Sequence, residues 1–109
     1  MKCVAEIQAG VCGFKTTITA EAEEEMVSFA LATDCQKIQG LGSALHGRSF
    51  DAYSEIHTGF DGGVMQTVRA NLSGCCAGCV VPVGIFKSMQ VAARVALPKE
   101  VMVYLEVEE

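Results

Sequence analysis

Six cysteines stand in this chain of 109 residues, and five of them fall where chemistry could gather them: Cys12, Cys35, Cys75, Cys76 and Cys79. Cys76-Ala77-Gly78-Cys79 has C-x-x-C spacing, and the small residues between let two sulfurs face one point. Thiolates are soft ligands. A set of Cys12, Cys35, Cys76 and Cys79, with Cys75 as the alternative fourth, suits Zn²⁺ or an iron–sulfur cluster and not Mg²⁺ or Ca²⁺. The same C-x-x-C pair supports a second reading, dithiol redox chemistry, in which Cys76 attacks and Cys79 resolves the mixed disulfide. A third reading has no chemistry: the thiols pack as small hydrophobes in a structural or interaction module. His46 and His57 are possible extra ligands or bases. Asp51, Glu55 and Asp61 are scattered, so no carboxylate pair stands out for acid–base work. Gly40-Leu41-Gly42 is the nearest thing to a phosphate loop, but it lacks the G-x-G-x-x-G or GK[ST] pattern.

Composition narrows the partners. The chain carries 8 Lys and Arg against 13 acids, a formal charge of −5, with no basic run. That argues against nucleic acid as a partner. No apolar run approaches the ~18–20 residues of a membrane span, so the membrane is not expected as a partner either. Half the residues are hydrophobic, enough for a core, and the length suits a single domain over 1–109. Met1-Lys2-Cys3-Val4-Ala5-Glu6 has no apolar leader, so the expected address is cytoplasmic, where thiols stay reduced.

The elements that must position the thiols are legible as alternation and punctuation. Cys3, Ala5, Ile7 and Ala9 share one face of a strand whose other face is wet. Gly10-Val11-Cys12-Gly13 is a hairpin tip, and Phe14 to Ala20 alternates as the returning strand. Glu21 to Glu25 reads as a solvated turn. Met26 to Thr33 fits a third strand better than a helix. Asp34 can cap a helix from Cys35 with Ile38, Leu41 and Leu45 on one side and Gly47 as its stop. Ser49 can cap a second short helix holding Phe50, Tyr53 and Ile56. Val64, Met65, Val68 and Leu72 mark a third. Pro82 opens a fourth, buried helix that Pro98 ends. Val101, Val103, Leu105 and Val107 alternate as a last strand, which could be an edge that pairs between subunits in a homo-oligomer. The predicted fold class is α+β, a two-layer sandwich of order β-β-β-α-α-α-α-β, with a mainly antiparallel sheet covered on one face by helices.

Chain direction then decides whether the thiols meet. The first strand runs toward the hairpin tip, the second away and the third back, so Cys12 and Cys35 arrive at one end of the sheet. Cys3 sits at the other end and reads as core. Cys75, Cys76 and Cys79 join the tip end only if the fourth helix starts there. A short link to the last strand makes helix and strand antiparallel neighbours. Convergence therefore requires that strand to pair parallel with the first or third; antiparallel pairing with an edge puts the helix start at the far end.

Residues 75–98, from Cys-Cys-Ala-Gly-Cys-Val-Val-Pro to Ala-Leu-Pro, resemble a segment of small uncharacterised proteins found mainly in anaerobic microbes. Those proteins also carry single cysteines in a Gly-x-Cys-Gly tip and in an Asp-Cys pair after a strand, matched here by Gly10–Gly13 and Asp34-Cys35. The resemblance implies no known activity. A local likeness to OsmC-type peroxide reductases lies in that family's helix bearing a reactive Cys, which leads through Leu-Pro-like residues into a Val-Glu-Val strand. Cys76 or Cys79 and Val103–Val107 match it, and it implies thiol chemistry.

Overall fold

The computed structural model describes residues 1–75 and 77–109. Among them the chain forms strands β1 (Lys2–Gln8), β2 (Lys15–Glu23), β3 (Met26–Thr33) and β4 (Phe50–Asp51). Helices α1 (Gln36–Leu45), α2 (Ala52–Thr58), α3 (Gly63–Asn71) and α4 (Val81–Ala92) complete it. The strands make one antiparallel sheet in the order β1-β2-β3-β4. The fold class is α+β, as expected.

Period-2 patterning builds the core. Register pairs Ala5 with Ile18 and Ile18 with Leu31, and Cys3 with Ala20 and Ala20 with Phe29. These residues therefore lie in rows on one face, where α1 and α4 cover them. Ile18, Ala20, Val27, Leu41, Leu45, Ile85 and Met89 are sealed from solvent. The opposite face keeps Lys2, Glu6, Ser28, Ala30 and Ala32 in water. At Gly84 the backbone of α4 comes so close to the sheet that a side chain would strike Ile7, with Ile18 Cδ1 3.1 Å away.

Four expectations are corrected. The acidic stretch is not all turn: Glu21, Ala22 and Glu23 extend β2 because each finds a partner across β3, and only Glu24, at φ 58°, and Glu25 turn the chain. Cys35, not Asp34, is the cap residue of α1. Phe50 and Asp51 form the short β4, and Asp51, not Ser49, caps α2 by accepting the N–H groups of Tyr53 and Ser54. The predicted last strand does not form. α4 ends at Ala92, five residues before the expected stretch is over: Arg94 adopts φ 67° and Val95 N–H bonds back to Gln90. This left-handed cap turns the chain off the helix axis. Residues 94–109 are then exposed throughout and form no strand pairing among the described residues. A strand exists only by pairing, and alternation alone does not supply a partner. The likeness to OsmC-type reductases loses its strand with this segment.

Candidate functional site

Three antiparallel strands bring β1, β2 and β3 to a common pole, where Cys12 and Cys35 sit. Cys12 ends a 3-10 turn, Gly10–Cys12, held by Gly13 N–H on Gly10 C=O at 2.9 Å. Gly10 and Gly13 take φ of 68° and 72°, a conformation that costs other residues ~1 kcal/mol or more. The result is an exposed Cys12 thiol on a tight tip. Cys35 is held by the β3–α1 junction. Its N–H donates to Thr33 Oγ1 at 3.1 Å, and Thr33 Oγ1 also accepts from the buried Thr16 hydroxyl at 3.0 Å. Gln39 Nε2 ties the Thr33 carbonyl at 2.9 Å, so the thiol stands on a braced corner.

The 72–80 loop comes to the same pole. Lys37, in the first turn of α1, donates to the Ser73 carbonyl at 2.6 Å, which ties the end of α3 to the start of α1. Beyond it, Cys75 C=O accepts from Gly78 N–H at 3.1 Å and Cys79 N–H at 2.8 Å. The second bond ties the backbone of Cys79 to that of Cys75 and holds the two cysteines in one short loop. α4 starts here and runs to the far end, where Ala92, Ala93 and Arg94 stand beside Met1, Glu24 and Glu25. Its direction is the one that convergence needs. The cause differs from the expected one: docking over β1 and β2 orients α4, and no last strand is involved.

Electrostatics confirms the neighbourhood. Burial pushes the Cys79 thiol up from its ordinary value. The Val81 N–H donated to it works the other way, and the negative charges of Cys75, Cys35 and Cys12 push it up further. Cys79 thus lies within electrostatic reach of three thiols from three parts of the chain. They are neighbours and not a closed shell: among the described residues, no three His, Cys, Asp or Glu side chains stand together as ligands of one ion. The five described cysteines are free thiols. Cys76 lies outside the described residues, and so does the Cys76–Cys79 dithiol reading that depends on it. Cys3 packs against the core at the far end of β1, and burial raises its thiol too.

The other candidates divide. His46 follows the last turn of α1, the opposite end of that helix from Cys35. His57 lies in the last turn of α2, where a basic side chain suits the helix dipole. Sequence reasoning missed two contributors. Lys37 is a cation fixed beside the loop, and Val81 N–H is an α4 first-turn donor aimed at sulfur. Beside Cys79 opens a groove of about 530 Å³ whose walls include Phe60, Met65, Val83 and Phe86.

Among the described residues, no helix is long and apolar enough to cross a membrane. No curated protein and no solved structure matches the chain. A family model does match, over residues 3–105, almost the whole length. This chain belongs to that family, the family of unknown function DUF6951.

Proposed function

We propose that this protein holds a soft metal centre, an iron–sulfur cluster or a zinc ion, on the thiolates of Cys12, Cys35, Cys75 and Cys79. The observation that carries the reading is that the fold brings Cys12, Cys35 and Cys75 to the pole where Cys79 stands, within electrostatic reach of it. Two helices, α1 and α4, direct their N-termini at the same pole, and Lys37 adds a full positive charge there. Each offsets part of the negative charge that four thiolates bring. Without a cation, burial favours the protonated form of Cys79. A bound metal reverses that balance and deprotonates its ligands. The Val81 N–H then becomes a hydrogen bond to ligand sulfur, the kind of outer contact that tunes such centres.

The 75–79 turn supports Cys75 as the fourth ligand, with Cys76 as the alternative. A zinc ion at Zn–S distances near 2.3 Å needs its sulfurs ~3.8 Å apart, so the loops must close around it. Glycines at 10, 13, 74 and 78 flank three of the four thiols and leave the backbone free to do so. The reading places the protein in a reducing, cytoplasmic setting, with neither nucleic acid nor membrane as partner. Its test is elemental analysis with an absorption spectrum on protein purified without oxygen. Stoichiometric iron and sulfide with a visible charge-transfer band identify a cluster. Stoichiometric zinc without colour identifies the mononuclear site. Folded protein carrying neither rejects the proposal.

A further inference from the structure

The chain carries two halves of a strand pairing that it does not make with itself. One half is β1. It is the outer strand of the sheet, and among the described residues nothing pairs with its far side. Alternate N–H and C=O groups along Lys2–Gln8 therefore face outward unpaired. Cys3, Ala5 and Ile7 on its inner face are only half-buried beside α4, so the apolar layer is incompletely closed along this edge. The other half is the segment Val101–Val107. It has seven residues, the length of β1. Val101, Val103, Leu105 and Val107 alternate along it and are 56, 70, 92 and 85 % exposed. A run of apolar side chains this open is rare on a monomer surface. The molecule measures 48 × 27 × 24 Å, and its long axis fits a segment carried off the body and not folded along the β1 edge. The family match extends to residue 105 and so includes Val101–Leu105 of the segment.

We propose that Val101–Val107 adds as a fifth strand to the β1 edge of a second copy of this chain, and that the exchange is reciprocal. Each copy offers one open edge and one unpaired strand. A mutual exchange uses both of each and closes a two-fold dimer with no β1 edge left over. The Val101, Val103, Leu105 and Val107 side chains then continue the row of Cys3, Ala5 and Ile7 and complete the layer beneath α4. An unrelated partner would leave the chain's own second half unsatisfied.

The test uses the full chain in reductant, so that the exposed Cys12 cannot crosslink copies. Light scattering gives the mass, and amide hydrogen exchange reads β1. In a second protein, Met102→Pro and Val103→Pro are combined, because neighbouring N–H groups point to opposite edges and one of the two must face the partner. Both lie in the exposed segment, so the body stays folded. The expected result is twice the chain mass for the native protein, a monomer for the double variant, and faster exchange across residues 2–8 in the variant with 26–33 unchanged. A native monomer overturns the proposal, whether or not its β1 is protected. So does a dimer that survives the two prolines, or a monomeric variant whose β1 exchange has not changed.

Discussion

Zinc titration of the reduced, metal-free protein turns the proposed ligand set into a proton count. Metal binds thiolate, so each ligand must give up its proton. A free thiol has an ordinary pKa near 8.5 and so carries its proton at pH 7, and a site of four thiol ligands brings up to four protons to the titration. Cys79, pushed above that value, is protonated still more completely. Loading one zinc ion should thus release close to four protons and carry the formal charge from −5 to −5 + 2 − 4 = −7. The same stoichiometry sets the pH dependence: apparent affinity should weaken by about 10⁴ between pH 7.5 and pH 6.5. The assay is zinc added to a weakly buffered solution with a pH indicator, repeated on Cys→Ser variants. Serine does not ionise in this range, so each lost ligand removes one proton. Cys75→Ser should release about three protons, while Cys76→Ser and Cys3→Ser should still release about four. Fewer than three from the native chain would mean that zinc sits elsewhere, and the four-thiol argument is refuted. Loss of a proton in Cys76→Ser but not in Cys75→Ser would refute the reading of the 75–79 turn.

In the metal-free protein, burial raises both Cys3 and Cys79. A thiol raised on folding stabilises the fold below its unfolded pKa near 8.5, and that contribution is lost as pH climbs through the folded value. Urea midpoints should therefore fall on the alkaline side, and Cys3→Ala with Cys79→Ala should flatten the fall; an unchanged slope removes these thiols as its cause. Zinc-loaded protein should respond with the opposite sign from mildly acidic to neutral pH, since its ligands lose protons on binding. Glu55 is buried, and its carboxylate accepts from Gly63 N–H at 3.2 Å and from Val64 N–H, at the start of α3. Glu55→Ala removes an N-terminal cap and leaves an N–H without a partner, at a cost of roughly 2–4 kcal/mol. Glu55→Gln keeps an acceptor and should cost about 1 kcal/mol; equal midpoints for the two variants would show that the cap matters little. Gly84→Val drives two methyls against Ile7 and Ile18 and should cost about 1–3 kcal/mol in chemical denaturation. It should also weaken metal uptake, because Cys79 stands just before the start of α4.

Much of the scaffold could be read from side-chain period. Met26–Thr33 is a strand with the bounds that alternation assigns, and Ile38, Leu41 and Leu45 are the buried stripe of α1. Other features depend on partners that period does not encode. Glu21 and Glu23 look like turn residues until β3 lies opposite them. Val101–Val107 looks like a strand, yet nothing in the chain accepts it. Ser49 and Asp51 are both good caps, and the choice turns on where β4 leaves the sheet at Asp51.

The pole of thiols shows the same division. Parity alone sends Cys12 and Cys35 to one end, since an odd number of antiparallel passes separates the first strand's start from the third strand's finish. No such rule fixes the 72–80 loop. Its place is set by a Lys37 bond to Ser73 and by a close helix–sheet approach at Gly84. Neither contact leaves a mark in cysteine spacing. C-x-x-C spacing draws the eye to Cys76 and Cys79. The backbone bond from Cys79 to Cys75 instead ties residues four apart. Protonated, the thiols carry no charge and can stand near one another as small hydrophobes. Four thiolates at one pole would repel, each negative charge raising the cost of the next, and two helix N-termini with one lysine would offset part of that. A soft cation would remove the rest, so the proposed ligand set and plain packing differ in one respect that the proton count reads directly: only the first releases protons when zinc is added.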